Sequence, residues 1–323
     1  MIRFVLARLA KSAVVLLCIA VLNFMLIRAA PGDPAAVMAG EAGEADAQFL
    51  AQLEERFGLD KPLPVQLWIY VSGVLRFDLG YSYRQQLPVA DLILERLPAT
   101  LTLSVAAFAI SLGLGVLAGA VASVFQGRWP DTIISSVALI FYATPLFWLA
   151  LMAVLLFSVW LGWLPGFGYE SVGAGYTGLR RALDILQHLI LPATTLGLFF
   201  MAVYMRMTRA SMLEVNRQDF VRTARAKGLR PGVIQRRHVL RNALLPVVTL
   251  AGLQAGQLVG GAVLIETVFA WPGIGRLMFE ALAQRDYNLL LGVFLVSAAM
   301  VLLFNLVTDL LYRLVDPRIR MAA

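Results

Sequence analysis

Two histidines, His188 and His238, one cysteine, Cys18, and a few polar groups set among apolar neighbours are the residues of this 323-residue chain with types suited to chemistry. Neither histidine has an HExxH or CxxC companion, so the spacing supports no metal site. Cys18 is alone and can form no internal disulfide. No GxxxxGK[ST] phosphate loop occurs, and ATP-driven work would need an engine on another subunit. The remaining candidates are Asn23, Arg206, Gln254, Gln257, Glu266, Asn305 and Asp309. Such groups, in or beside apolar runs, line pathways or pair across helices, because an isolated charge in a bilayer is costly. For Arg206, Glu266 and Asp309 the position near span ends favours interfacial placement or structural pairing over solute contact. The chain shows no catalytic constellation, and sequence alone leaves any pathway-lining residues unknown.

The elements that position these groups follow from hydropathy. Hydrophobic residues make up 60% of the chain and charged residues only 15%, where a soluble domain carries roughly a quarter charged. That balance predicts an all-α polytopic membrane protein. Six apolar runs are long enough to cross a hydrocarbon core of about 30 Å as helices: Leu9 to Arg28, Ala99 to Phe125, Thr132 to Trp160, Leu186 to Met207, Ala243 to Phe269 and Asn288 to Leu314. Pro145, Pro192 and the glycine-rich stretch from Gly256 to Gly261 predict kinks or close helix contacts. Arg3, Arg8 and Lys11 precede the first run as in a signal peptide, but its core extends to Ile27, which predicts an uncleaved anchor.

Charge then orients the spans. Seventeen lysines and arginines and five acids fall on the side that holds both termini, leaving ten bases and fifteen acids for the opposite side. Lysine and arginine mark the cytoplasmic face, so both termini are expected in the cytoplasm of a cell with a bacterial-type inner membrane. The overall charge of +7 is thus a matter of orientation and contact with anionic lipid rather than of nucleic acid, for which the basic stretch lacks interleaved aromatics.

On the outer side, residues 30–98 form a long loop region. Phe49, Leu50, Leu53 and Phe57 recur at helical spacing and predict a short amphipathic helix ending at Gly58. Pro62 to Gly80 holds a second apolar set that is too short to span, with Trp68 and Tyr70 suited to an interface. Gly162 to Ile185, rich in glycine and aromatics, reads as a structured loop at the membrane surface. A single membrane domain over 1–323 accounts for the chain.

The longest basic loop, residues 209–242, contains DFVRTARAKGLRPG. Phe220, Val221, Ala224 and Gly228 fall on one side of a predicted helix, and Arg217, Arg222 and Arg225 project elsewhere. Gly228 and the Pro231–Gly232 pair stop it, and Val233 to Asn242 predicts a second helix leading to Leu245 and Pro246. A short helix of this kind is shaped to insert into a groove on a soluble partner, with the small Ala224 and Gly228 permitting close approach.

These residues resemble the permease subunits of ABC importers, whose cytoplasmic EAA loop carries a small-residue helix, a glycine and a later Leu-Pro. Arg222 stands where the general motif has glutamate, and the stretch from Gly228 to Pro246 is longer than in many members. The longer form, with RTARAKGL at Arg222 to Leu229 and RNALLP at Arg241 to Pro246, is similar to the dipeptide, oligopeptide and nickel branch. IRAAPGDPA at Ile27, FGLDKPLPVQ at Phe57, DLGYSYRQ at Asp78, RLPATL at Arg96, FAWPGIGRL at Phe269 and DPRIR at Asp316 carry the resemblance from the first span to the tail.

The resemblance implies a type I ABC importer permease fold with six transmembrane helices. It also implies a second homologous permease chain, two ATP-binding subunits that hold ATP and magnesium, and an extracytoplasmic solute-binding protein. This chain itself would carry no cofactor. Ala224, Lys227 and Gly228 would contact the ATPase, with Arg222 and Arg225 nearby. The expected solute is a di- or oligopeptide; nickel complexes, glutathione and other small solutes are the alternatives. A secondary transporter would want a polar coupling site near the bilayer midplane, which is not evident.

Overall fold

A backbone inside hydrocarbon has no water to bond, so an apolar run there must satisfy its own amides as a helix. Helices dominate the computed structural model, which describes residues 2–29 and 61–315. The predicted helix around Phe49 to Phe57, the IRAAPGDPA stretch beyond Ala29, FGLDKPLPVQ before Lys61 and the DPRIR tail lie outside the described residues.

The elements in order are α1 (Ile2–Ala29), α2 (Leu63–Leu75), β1 (Tyr81–Ser82), β2 (Leu87–Pro88), α3 (Val89–Val124), α4 (Trp129–Ala143) and α5 (Leu146–Ala153), which runs into a π-helical segment, Val154–Trp160. There follow α6 (Gly178–Val215), α7 (Asp219–Ala226), α8 (Pro231–Val233) with a second π-helical segment, Ile234–Leu240, then α9 (Arg241–Val268), α10 (Ile274–Gln284) and α11 (Tyr287–Val315).

Helices α1, α3, α6 and α11 are long and apolar enough to cross a membrane. Helix α9 has 28 residues, about 42 Å of axis at 1.5 Å per residue and ample for the hydrocarbon core. The remaining expected span, Thr132 to Trp160, is not one helix: α4 and the α5 segment meet at a bend of 104°. The cause lies in Thr144 and Pro145. A residue before proline is pushed out of the helical region, and Thr144 is extended at φ −81°, ψ 135°, with Pro145 opening the next helix. Pro192, by contrast, sits inside an unbroken α6. Helix α3 also begins earlier than the expected span, at Val89, and α6 begins at Gly178, shortening the loop before it.

Within the one expected permease domain, the contacts sort into two compact units, residues 1–98 with 273–306, and residues 99–272 with 307–323. In the first unit, Asn23 of α1 donates to the Leu291 carbonyl of α11 at 3.2 Å, and Phe24 meets Tyr70 of α2 at 6.1 Å between ring centroids. The DLGYSYRQ stretch folds into the β1–β2 hairpin, with Ser82 opposite Leu87. Its Ser82 hydroxyl donates to the buried Asp286 carboxylate, whose other oxygen accepts the Leu289 amide at 3.0 Å and so caps α11. Asn288 donates to the Tyr81 carbonyl at 3.2 Å.

The second unit is built around α6. Leu103 and Ala107 of α3, Ala150 and Val154 beyond the bend, Leu196, Phe200 and Tyr204 of α6, and Val247 and Ile265 of α9 form one core, closed by Phe269 and Trp271. Trp271 donates its indole N–H to the Ala99 carbonyl at 2.9 Å, and Thr100 donates to fully buried Glu266 at 2.6 Å. Two of the family-like stretches, RLPATL and FAWPG, are therefore halves of one joint. The loop between Trp160 and Gly178 is fastened to it as well, by the Gly168 amide on the Phe269 carbonyl at 2.9 Å and by Tyr169 against Trp271 at 4.7 Å.

Glycines set the spacing of α3 and α6. A Cβ on Gly115 would lie 2.6 Å from Cβ of Tyr204 and one on Gly119 would lie 2.5 Å from the Met205 carbonyl oxygen, while Gly197 of α6 faces Ile110 at 2.7 Å. Gly115 and Gly119 form the GxxxG spacing that lets helix backbones approach. Gly119→Val should therefore force the helices apart at a cost of about 1–3 kcal/mol or more. Gly113→Val, at a position whose Cβ meets nothing within 4 Å, should be tolerated. Thermal unfolding of the two variants in detergent checks this; equal midpoints would refute the packing role of Gly119.

Candidate functional site

Past Arg209 the long α6 leaves the core and feeds the basic stretch, which folds into a knuckle between α6 and α9. Helix α7 is only eight residues long, too short to be stable alone, so packing has to hold it. Val221 and Ala224, one turn apart, face inward against Met212 and Val215 of α6 and against Ile234, Val239 and Ala243 on the return path, with Ala120 and Leu240 at the edge. A reciprocal amide pair, Asn216 with Gln235, closes the base, the Gln235 Nε2 donating to Asn216 Oδ1 at 3.0 Å. Arg225 reaches the same Asn216 oxygen at 3.4 Å.

This seat corrects one expectation. Ala224 is 5% exposed and its methyl belongs to the knuckle's own core, so it is not placed to meet a partner directly. Phe220, expected on the same side as Val221 and Ala224, stands at the edge of that stripe and is 40% exposed, because a helix turns about 100° per residue and Val221 and Ala224 already fill the inward arc. The outward surface holds Arg222, Arg225, Lys227 and Gly228, all exposed, together with Phe220, Leu229 and Val233. Leu229 and Val233 carry no sequence signal of their own; their exposure becomes visible only once the turn after Gly228 is built.

Gly228 has a local reason to be glycine. Its amide donates to the Arg225 carbonyl at 2.9 Å and the Leu229 amide to the Ala224 carbonyl at 3.4 Å, the paired bonds of a Schellman C-cap. That motif needs a left-handed residue, and Gly228 has φ +72° with open space around its Cα. The predicted second helix, Val233 to Asn242, is helical throughout, but as the end of α8 at Val233, a π-helical segment over Ile234–Leu240 and the start of α9.

Arg222 and Asp219 form a 3.4 Å pair, both side chains largely in solvent, which contributes little to stability. The charge of the outer surface is thus largely unneutralised. Arg209 is different: its Nε and Nη2 donate to the two oxygens of Asp131 at 2.7 Å each, and the Gly127 amide adds a third bond at 3.0 Å. This clamp ties the start of α4 to α6 just before the knuckle. Nothing local in the sequence announces it, since the partners are far apart along the chain. Among the described residues there is no His/Cys/Asp/Glu cluster that could hold a metal, and His188 bonds through Nδ1 to the Asp184 carbonyl oxygen at 2.9 Å.

Comparison with known proteins bears on this geometry. The family profile described as "Binding-protein-dependent transport system inner membrane component" matches residues 111–321, and its N-terminal companion matches residues 1–104. The chain is 42% identical to the dipeptide transport system permease protein DppB of Alkalihalophilus pseudofirmus, over 99% of this chain and 100% of that one. It is 43% identical to the di/tripeptide transport system permease protein DppB of Pseudomonas aeruginosa, with 99% of each covered. Its identity to the glutathione transport system permease protein GsiC of Escherichia coli is 41%, again over 99% of each. Among solved structures, an inward-facing form of the MetNI methionine ABC transporter superposes with a TM-score of 0.57 at 19% identity, covering 70% of this chain and 96% of that one; this shows a shared fold.

If the Schellman cap holds α7 closed, Gly228→Ala should cost about 1–2 kcal/mol through its left-handed backbone, and Gly228→Asn should cost less. Hydrogen exchange of the α7 amides in the assembled protein reads this directly. Equal protection in all three forms would show that the cap is not what holds the helix.

Proposed function

Because the chain belongs to the family of binding-protein-dependent transport system inner-membrane components, we propose that it is one of two permease subunits of an ATP-driven importer of di- or oligopeptides. A solute-binding protein delivers the peptide on the outer side. A second homologous permease completes the passage, and two ATP-binding subunits, holding ATP and magnesium, drive it. This chain carries no cofactor and no ATPase activity of its own. Both termini and the knuckle face the cytoplasm, as the distribution of lysine and arginine demands.

The knuckle carries the reading. It is a short helix seated by buried Val221 and Ala224 on the ends of two long helices, α6 and α9, and it presents an exposed face that mixes Arg222, Arg225 and Lys227 with Phe220, Leu229 and Val233. Such a face, apolar at its centre and basic around it, fits a groove on a soluble subunit. Movement of that subunit reaches α6 and α9 without passing through a flexible linker. ATP can shift the passage between its end states only if the ATPase binds the knuckle differently in each. Gly228 allows close approach, and Ala224 acts from inside by holding the helix in place. The glutathione transporter's similarity supports a second reading in which the solute is glutathione.

The test is reconstitution of the four membrane and ATPase subunits in vesicles with the binding protein, followed by ATP-dependent uptake of dialanine and of glutathione. Gly228→Trp and Lys227→Glu should each lower uptake at least about tenfold, the equivalent of ~1.4 kcal/mol at the docking contact, while membrane insertion stays normal. Undiminished uptake in both variants would sink the coupling role of the knuckle.

A further inference from the structure

Arg206 and Arg209 lie one turn apart on α6, yet their charges are met differently. Arg209 is bound to Asp131 through both ends of its guanidinium. Arg206 places its guanidinium carbon 4.7 Å from the centre of the Tyr142 ring and forms no ion pair with an acid among the described residues. Sequence reasoning favoured interfacial placement or structural pairing for this arginine; the structure supplies an aromatic face instead of a counter-ion. Beside it, Ser135, Ala138 and Leu139 of α4 and Ala202 and Met205 of α6 line an open pocket of about 420 Å³ that also reaches Arg209, and the Arg206 side chain is exposed.

From this pocket we infer that Arg206 supplies the counter-charge for a carboxylate of the solute in transit. The inference rests on the importer reading above and adds a contact for the solute. Three observations lead to it. First, an arginine set in a helix pair that crosses hydrocarbon is costly unless an anion or water meets it, and Tyr142 offsets only part of that cost. Second, the Arg206 guanidinium is met by the Tyr142 ring and by no acid among the described residues, and its N–H groups can make the bidentate bond that a carboxylate accepts. Tyr142 is in turn fixed by stacking on Phe199 at 5.7 Å, which makes it a positioning residue.

Third, the location argues against a lipid phosphate. Trp129, 75% exposed, and the neighbouring Arg128 mark the end of α4 where an interface belongs. Tyr142 lies about 16 Å of helix axis beyond Asp131, and Arg206 sets its guanidinium against that ring rather than at the Trp129 end of α4. On the importer reading, the anion that meets Arg206 beside Tyr142 is the solute. Peptides and glutathione both carry carboxylates, so one residue serves either solute. A transient partner also has to leave, and Arg206, unlike Arg209, is not committed to a permanent acid.

The full complex reconstituted in vesicles, with dialanine or glutathione presented on saturating binding protein, tests this. Arg206→Gln should lower the maximal uptake rate about tenfold or more, as loss of a charge-assisted hydrogen bond implies. Arg206→Lys should keep an intermediate rate. Basal ATP hydrolysis, subunit assembly and solute affinity of the binding protein should not change. Wild-type rates for Arg206→Gln, with normal wild-type uptake, would overturn the inference alone; absence of wild-type uptake of both solutes would sink the importer reading and the inference with it. Loss of the second permease from the Arg206→Gln complex would overturn it in favour of an acid on that chain. A wild-type rate that falls to the variant's level in vesicles of phosphatidylcholine alone, and recovers when phosphatidylglycerol is added, would overturn it in favour of lipid phosphate.

Discussion

Between two helices surrounded by lipid tails, an apolar side chain gains little by leaving lipid for protein, so close backbone approach has to supply the attraction. In this chain that approach is made by α3 and α6, where Gly115, Gly119 and Gly197 leave no room for a side chain. The rest of the second unit depends on this contact. It fixes the position of α6, and α6 is the helix that carries Tyr204 into the core, Arg209 to its clamp, Arg206 to its pocket and Met212 and Val215 to the seat of the knuckle.

Glycine packing fixes distance but leaves register and rotation to be set by polar contacts. Those contacts are few and each is satisfied from both sides. At one end Thr100 bonds Glu266 and the Trp271 indole bonds Ala99, joining α3 to the end of α9 and the turn beyond it. Toward the other, Asp131 takes three donors from Arg209 and Gly127. In a low-dielectric setting a completed bond of this kind is strong and an incomplete one is expensive. The result is a scaffold in which α6 has one position for each arrangement of its neighbours, which is what a helix needs if a displacement at its end is to be felt along its length.

How much of this was legible in the sequence differs by the physics involved. Spans were legible because hydropathy over some twenty residues is a bulk quantity. Pro145 marked the place where α4 stops, but not the 104° between the halves, since that angle depends on what packs on each side of the break. RLPATL and FAWPG could be read as two family-like strings, yet nothing in either says that the Ala99 carbonyl accepts the Trp271 indole. Gly115 and Gly119 did carry a readable signal, the four-residue spacing of small residues in an apolar run. Arg222 and Arg225 project away from the side that holds Val221 and Ala224, as the pattern predicts, and Lys227 and Gly228 are exposed beyond them. Val221 and Ala224 share one side of α7 as the pattern predicts, but that side seats the helix, and pattern alone cannot tell an inward stripe that seats a helix from one that would meet a partner.

That distinction matters for how the loop is built. A glycine and a small residue in a docking motif invite the view that both exist for the partner. Here each already has an internal role, Gly228 in closing the helix end and Ala224 in filling the knuckle's core. On the proposed docking role, structure and recognition are carried by different residues: the buried pair and the cap fix the shape, while the basic and apolar groups outside meet the partner. Arg222, which stands where the general motif has glutamate, belongs to that outer set. Its only described acid partner is Asp219, a neighbour on the same exposed turn, so its change of sign leaves the seat untouched and alters only what the knuckle offers outward.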